Sequence, residues 1–255
     1  MNILANERRI LIFHDIGVVL KLTSPLPLSK PLLIMCFSAS ASFIAGGVLA
    51  SIGGFSVAIT RKRQFLPFAA IPFYFAVQQF IEGLIWLSFS EPSVHHFQYE
   101  LIYLFLFFAQ VFWPIYVPWS ILIAEKDEKN RGYLRVILAI GVLVGGYLAF
   151  CLAAFPVSAH IHDQHILYVL DFPEFNLNYK GIAYFIATVI PPFFSSMKGM
   201  RWFGILIFIS LMITEILFPG FEISVWCFYA AIISAVIPWI ISKSVTEKQK
   251  VKLSK

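Results

Sequence analysis

From Phe37 onward the chain alternates long apolar runs with short polar breaks, and the runs lie near 38–60, 65–89, 101–124, 133–155, 178–196, 202–219 and 222–242. Each comes close to the ~20 residues an α-helix needs to cross a bilayer. Their continuity is unlike the alternating strands of a membrane barrel, and without water to satisfy backbone groups the helix is the spanning form. The pattern predicts an all-α fold, a polytopic membrane bundle of seven transmembrane helices. The links 61–64 and 197–201 are short, and Pro219-Gly220 signals a tight turn between the last two spans.

Two spans carry small residues at every fourth position: Ser38, Ser42, Gly46, Ala50, Gly54 and Ala58 in the first, and Gly141, Gly145, Ala149 and Ala153 in the fourth. Small-xxx-small faces let helix backbones approach closely. They predict tight contacts within the bundle, or a homo-oligomer through these faces. Pro67, Pro72, Pro114, Pro118, Pro191, Pro192 and Pro238 fall inside spans two, three, five and seven. Each removes a backbone hydrogen bond and can kink its helix, either as a static bend or as a hinge beneath a pocket.

Residues 1–34 read differently. Arg8-Arg9 precedes a short apolar run broken by His14 and Asp15, and Pro25, Pro27 and Pro31 follow. This is a poor signal peptide. The expected organisation is an extension of no fixed structure over 1–34, with Met35 as the natural start, a seven-helix domain over 35–242 and a basic cytoplasmic tail over 243–255.

Composition agrees with the pattern, at 59% hydrophobic and 13% charged. The net charge of +5 forms no soluble patch of the kind that binds nucleic acid. Arg61, Lys62, Arg63, Lys126, Lys129, Arg131, Arg135, Lys198, Arg201 and the lysines after Ser242 share one side of the alternating links, only Lys180 falls on the other, and Arg8, Arg9, Lys21 and Lys30 belong to the 1–34 extension. Basic loops stay inside, so the C-terminus is expected in the cytoplasm and the N-terminus outside, in an inner (plasma) membrane. Cys36, Cys151 and Cys227 form neither a CxxC pair nor a zinc spacing. For Cys151 and Cys227 packing is the simple reading.

The candidate chemistry lies in Tyr74 to Leu87, YFAVQQFIEGLIWL, where Gln78, Gln79 and Glu82 interrupt an otherwise apolar span. An acid at hydrocarbon depth costs ~2.5–3.5 kcal/mol on insertion scales and is kept where it faces a partner or a cavity. Gln78, Glu82 and Trp86 share a helix face. At a rise of ~1.5 Å per residue, Glu82, Gln110 and Glu215 lie roughly 10, 14 and 6 Å below the outer boundary. All three fall in the outer half, which predicts a small polar pocket open to the outside. The bland reading makes the glutamines interhelical hydrogen-bond partners and lets Glu215 snorkel to the interface. His160, His162 and His165, beside Asp163, offer imidazoles for a metal, although solvated loop histidines are ordinary.

No HExxH, GxSxG or phosphate-binding glycine loop is present. A rhodopsin-type lysine is missing from Ile223 to Ile241, and no His or Asp of a ceramidase-type zinc site falls within the spans. The start MCFSASASF at Met35, the segment LPFAAIPFYFAVQQFIEGLIWL and FWPIYVP in the third span resemble an uncharacterised bacterial multi-pass membrane family whose members begin Met-Cys-Phe-Ser-Ala and carry QQFxEGxxW. The resemblance implies a bacterial inner membrane and brings no activity or cofactor. The leading functional expectation is a transporter-like or sensor-like bundle, embedded in the lipid bilayer, that binds a small polar or cationic ligand at Glu82, Gln78, Gln79, Gln110 and Glu215. The alternatives are a membrane-embedded metal-dependent enzyme using Glu82 and the outer histidines, and an accessory or assembly protein.

Overall fold

The computed structural model describes residues 38–162, 164–173 and 177–243. The expectations for residues 1–34, for Met35 and Cys36, for Asp163 and for the tail beyond Lys243 lie outside them. Seven longer helical segments are described, α1 Ala39–Ile59, α2 Arg63–Ser88, α3 Gln98–Ala124, α4 Glu128–Ala154, α5 Leu177–Val189, α6 Met200–Leu217 and α7 Glu222–Lys243, and one short helical turn, Pro92–His95, lies between α2 and α3. Two strands, β1 Val157–His162 and β2 His165–Leu170, form an antiparallel hairpin between α4 and α5. The fold is therefore mostly helical with a small sheet. The link between α4 and α5, which the sequence left without a hairpin, contains it because Val157, Ala159, Ile166 and Tyr168 supply a buried inner face with the two-residue period of a strand.

Six of the seven helices are long and apolar enough to cross a membrane. The fifth is the exception to the expected seven. Its α-helix runs 13 residues, about 20 Å, before Ile190 precedes Pro191 and Pro192 and the chain tightens to a 3₁₀ turn over Pro191–Phe194. Ile190 keeps right-handed α dihedrals, φ −78° and ψ −32°, and the α-helix ends because two successive prolines remove the donors that would continue its ladder. The outward faces carry large apolar side chains, among them Ile44, Phe55, Leu143, Phe150, Trp202 and Ile216. Lipid satisfies such a surface where water would not.

Helix ends follow from local chemistry. Ser38 caps α1 by accepting from the Ala41 N–H at 3.2 Å, and Asp127 caps α4 by accepting from Asn130 N–H at 3.0 Å. Gly199 and Gly220, which introduce α6 and the turn before α7, both have φ +92°, a conformation that glycine adopts without cost.

The prolines reshape α2 and α3. In α2 the helix breaks at Ala70 between Pro67 and Pro72, and the Tyr116 hydroxyl donates to the Pro67 carbonyl at 2.9 Å. In α3 a π-helical turn over Phe107–Phe112 hands the Trp113 N–H to the Phe108 carbonyl. That frees the Ala109 carbonyl, and the Tyr184 hydroxyl donates to it at 2.5 Å. Pro118 likewise cannot donate to Pro114, so the Pro114 carbonyl turns toward α4.

There it meets Gly141. A Cβ at Gly141 would stand 2.0 Å from that oxygen, whereas at Gly146 it would meet nothing within 4 Å. On α1, a Cβ at Gly53 would stand 2.6 Å from the Phe73 nitrogen of α2, and Gly54 again faces open space. The buried stripe of α1 is Ser42, Gly46, Leu49, Gly53 and Ser56, not the strict four-residue ladder. Four residues overshoot a turn by ~40°, so Gly54 and Ala58 drift off the face while a 4-3-4-3 spacing stays on it. Ala153 leaves the α4 contact in the same way and is exposed. The buried parts of both ladders pack within the chain, α1 on α2 and α4 on α3.

The core has two parts along α2. One gathers Phe68, Ile71, Leu134, Met200 and Ile240 toward the basic links. The other gathers Ile81, Ile85, Phe105, Leu106, Ile166, Tyr168 and Cys227 beneath the hairpin. Glu82 belongs to the second.

Candidate functional site

Three elements converge on Glu82. α2 brings Gln78 and Gln79, both fully buried, and Glu82 itself, 2% exposed. α7 brings Ser224, whose hydroxyl donates a very short hydrogen bond to Glu82 Oε1, and Gln79 Nε2 donates to Glu82 Oε2 at 3.2 Å. α3 brings Trp113, stacked on Phe75 at 4.0 Å, whose indole N–H donates to Gln78 Oε1 at 2.7 Å. A buried indole N–H needs that acceptor, so half of Gln78 works as interhelical glue.

The other half lies beside the Cys227 thiol without a geometrically formed hydrogen bond. Gln78 Nε2, Gln79 Oε1 and the Tyr168 hydroxyl are buried without a hydrogen-bond partner. Tyr168 reaches in from β2, stacks on Phe105 at 4.9 Å, and lies close enough to Glu82 and Cys227 to feel their charge. Burial first, and those two groups after it, push its phenol well above its ordinary 10.0. Its hydroxyl therefore remains a donor. The carboxyl is ringed by neutral groups, and among the described residues no Lys, Arg or His bonds to it. An ionised carboxylate so enclosed needs a positive partner.

The remaining candidates lie elsewhere. Gln110 sits half-buried in the π-helical turn of α3 and makes no hydrogen bond to the Glu82 group. Glu215, half-buried near the end of α6, has an unpartnered Oε1 and neighbours Glu222 across the Gly220 turn. His160, His162 and His165 share the outer face of the hairpin, opposite Tyr168, because His162 pairs with His165 and His160 lies two residues away. His162 and His165 rest on Phe221, and His165 also on Phe218. Among the described residues no three His, Cys, Asp or Glu side chains are placed to hold a metal ion. The structure thus keeps Glu82, Gln78 and Gln79 together and separates them from Gln110, Glu215 and the histidines.

A model of the family of unknown function DUF6629 matches residues 35–252. The chain belongs to this family. No curated protein and no solved structure matches it. The DUF6629 match begins at Met35 and takes in every residue of the Glu82 group.

Sequence reasoning missed Ser224 and Tyr168 as neighbours of Glu82 and Trp113 as the partner of Gln78. Ser224 was the one open to discovery, as a hydroxyl in an apolar span. It also passed over Glu125, which follows the third span directly. Glu125 is 1% exposed. Its Oε1 accepts from the N–H groups of Lys126 at 2.7 Å and Asp127 at 2.9 Å and from the Ser196 hydroxyl at 2.5 Å, while Oε2 accepts from the Ser196 N–H at 2.6 Å. One carboxylate thereby ties the α3–α4 link to the α5–α6 link.

Burial alone would raise the Glu125 pKa, but the bonds from Ser196, Asp127 and Lys126 outweigh it and hold the carboxyl below its ordinary 4.5. A depressed folded-state pKa contributes stability that is present above the unfolded value and lost as pH falls through the folded one. Glu125→Gln is expected to lower stability by about 2 kcal/mol or more at neutral pH, since charge-assisted bonds are lost. Thermal unfolding in detergent checks this, and the gap to wild type should close as the pH is lowered past 4.5. A gap that widens in acid would contradict the clamp.

Proposed function

We propose that this protein is a multi-pass inner-membrane protein of transporter-like or sensor-like type that binds a small polar or cationic ligand at Glu82, with Gln78, Gln79 and Ser224. The observation that carries the reading is the unfinished hydrogen bonding around a buried carboxyl. Native interiors leave few polar groups unpaired, and those that remain call for an explanation. Here an acceptor, Gln79 Oε1, and two donors, Gln78 Nε2 and Tyr168 Oη, surround one acid. A ligand carrying both donor and acceptor, with positive charge for Glu82, would satisfy all of them. Gln110 and Glu215 stand outside this ring.

The test is a thermal-shift screen of the purified protein against monovalent cations, small amines and amino acids. Concentration-dependent stabilisation that vanishes in Glu82→Gln supports the reading; a screen in which every stabilising compound acts equally on both proteins opposes it.

The side of entry follows from the charge of the links. Arg61–Arg63, Lys126–Arg131 and Lys198–Arg201 lie at one end of alternating helices, and the hairpin at the other. By the positive-inside rule the hairpin faces out. A reporter fused after Lys255 is expected to report cytoplasm, and one in the hairpin turn the outside. The reverse pair of signals would place the Glu82 site on the cytoplasmic side.

A further inference from the structure

The Glu82 group is shut in this structure. The three unpaired atoms are themselves inaccessible, and one of them, the Tyr168 hydroxyl, belongs to the hairpin rather than to a spanning helix. β2 packs on α7 and β1 on α3. Tyr168 is the deepest polar side chain of the hairpin, 5% exposed and stacked nearly parallel to Phe105, with an interplanar angle of 5°.

We propose that the β1–β2 hairpin is the lid of the Glu82 site and that Tyr168 is the ligand-binding side chain it carries. The proposal rests on the reading of Glu82 as a ligand site and adds its route of entry. A helix deep in the bundle cannot move aside without breaking its packing, whereas a two-stranded hairpin joined to the bundle by chain at both ends can lift as a unit. Isolated hairpins are marginal in water, so this one is held down by what it buries: Val157, Ala159, Ile166 and Tyr168. Lifting it breaks the Tyr168–Phe105 stack and exposes Gln78, Gln79 and Glu82 from the hairpin side. Closing it over a ligand returns the phenolic donor to the ligand's acceptor, and the unpartnered hydroxyl is then bonded. Lids of this kind are drawn from the locally less stable parts of a fold.

Cys227 supplies a built-in reporter. It is free and buried, 6% exposed, and lies beside Tyr168 and Gln78. In the full chain carrying Cys36→Ser and Cys151→Ser, the rate of its modification by a small cationic, membrane-impermeant methanethiosulfonate measures lid opening without any ligand. Tyr168→Ala is expected to speed modification by about tenfold or more, because a buried aromatic holds the hairpin down. Tyr168→Phe keeps the stack and should label near the wild-type rate while weakening any ligand found by the thermal-shift screen.

A second arm locks the lid. The His165 and Phe221 rings meet, with centroids 5.0 Å apart, so His165→Cys with Phe221→Cys can be bridged by a short bis-methanethiosulfonate, which spans a gap wider than a direct disulfide allows. Modification at Cys227, read by mass spectrometry, should then fall below the unlocked rate and recover on reduction. Labelling that is unchanged in both Tyr168→Ala and the locked protein overturns the lid; if Tyr168→Ala fails to fold, the lock decides. Loss of the ligand in Glu82→Gln with an unmoved Cys227 rate would leave the site standing and remove only the hairpin route.

Discussion

Glu82→Gln is expected to fold, to melt at or above the wild-type temperature, and to lose ligand binding by about tenfold or more, the scale of one charge-assisted hydrogen bond. The stability half follows from local geometry. The introduced amide keeps an oxygen for the Ser224 hydroxyl and places an N–H where Glu82 Oε2 now faces Gln79 Nε2. Two donors would then confront each other, but a flip of the Gln79 amide presents Oε1, which has no partner now. The flip leaves Gln79 Nε2 unpaired in place of Oε1, so the number of hydrogen bonds is kept while a costly ionisable group is removed from the bilayer interior. Glu82→Leu leaves both the Ser224 hydroxyl and the Gln79 amide unpaired, and is expected to cost about 2–4 kcal/mol. Melting in detergent, with and without ligand, reads both quantities. A protein as stable as wild type that binds with undiminished affinity would reduce Glu82 to interhelical glue.

Gly141→Ala should be the most damaging alanine substitution among the described glycines. Its Cβ would stand 2.0 Å from the Pro114 carbonyl oxygen, and neither partner can retreat. Pro114 sits just past a π-helical turn whose free carbonyl is held by Tyr184, and Pro118 fixes the next turn. Overpacking of this kind costs about 1–3 kcal/mol and more where backbone is the obstacle. Loss of folded protein on size exclusion is expected. Gly146→Ala, five residues on and facing open space, should be neutral or stabilising by up to about 1 kcal/mol from helix propensity. Gly145→Ala should fall between, since the nearest atom is the end of the Ile115 side chain at 3.0 Å. Equal stability of the Gly141 and Gly146 variants would mean that α3 and α4 do not meet at this point.

What the sequence determined by itself was set by periodicity and by the cost of burying polar groups in lipid. Long apolar runs can only be helices there, so six of the spans were legible from their length. An acid and two glutamines in such a run had to face inward, so Gln78, Gln79 and Glu82 could be picked out before any neighbour was known. The small residues of the first and fourth spans marked tight packing, though a four-residue ladder misjudged which glycines touch. A real helix turns every 3.6 residues, and only the partner helix shows whether the contact follows Gly53 or Gly54.

The tertiary structure decided what each polar group meets. Glu82 and Ser224 are 142 residues apart in the chain, and no local pattern ties a serine of the last helix to an acid of the second. Tyr168 carried no signal of its own in the sequence, and only the pairing of β1 and β2 put it on the buried face and the three histidines on the opposite one. Glu125, one charge among several in a basic link, became a buried clamp because a distant serine, Ser196, folds over it. Periodicity fixes which face of an element is buried; the identity of the partner across that face depends on contacts between elements far apart in sequence, and those exist only once the helices and the hairpin have packed.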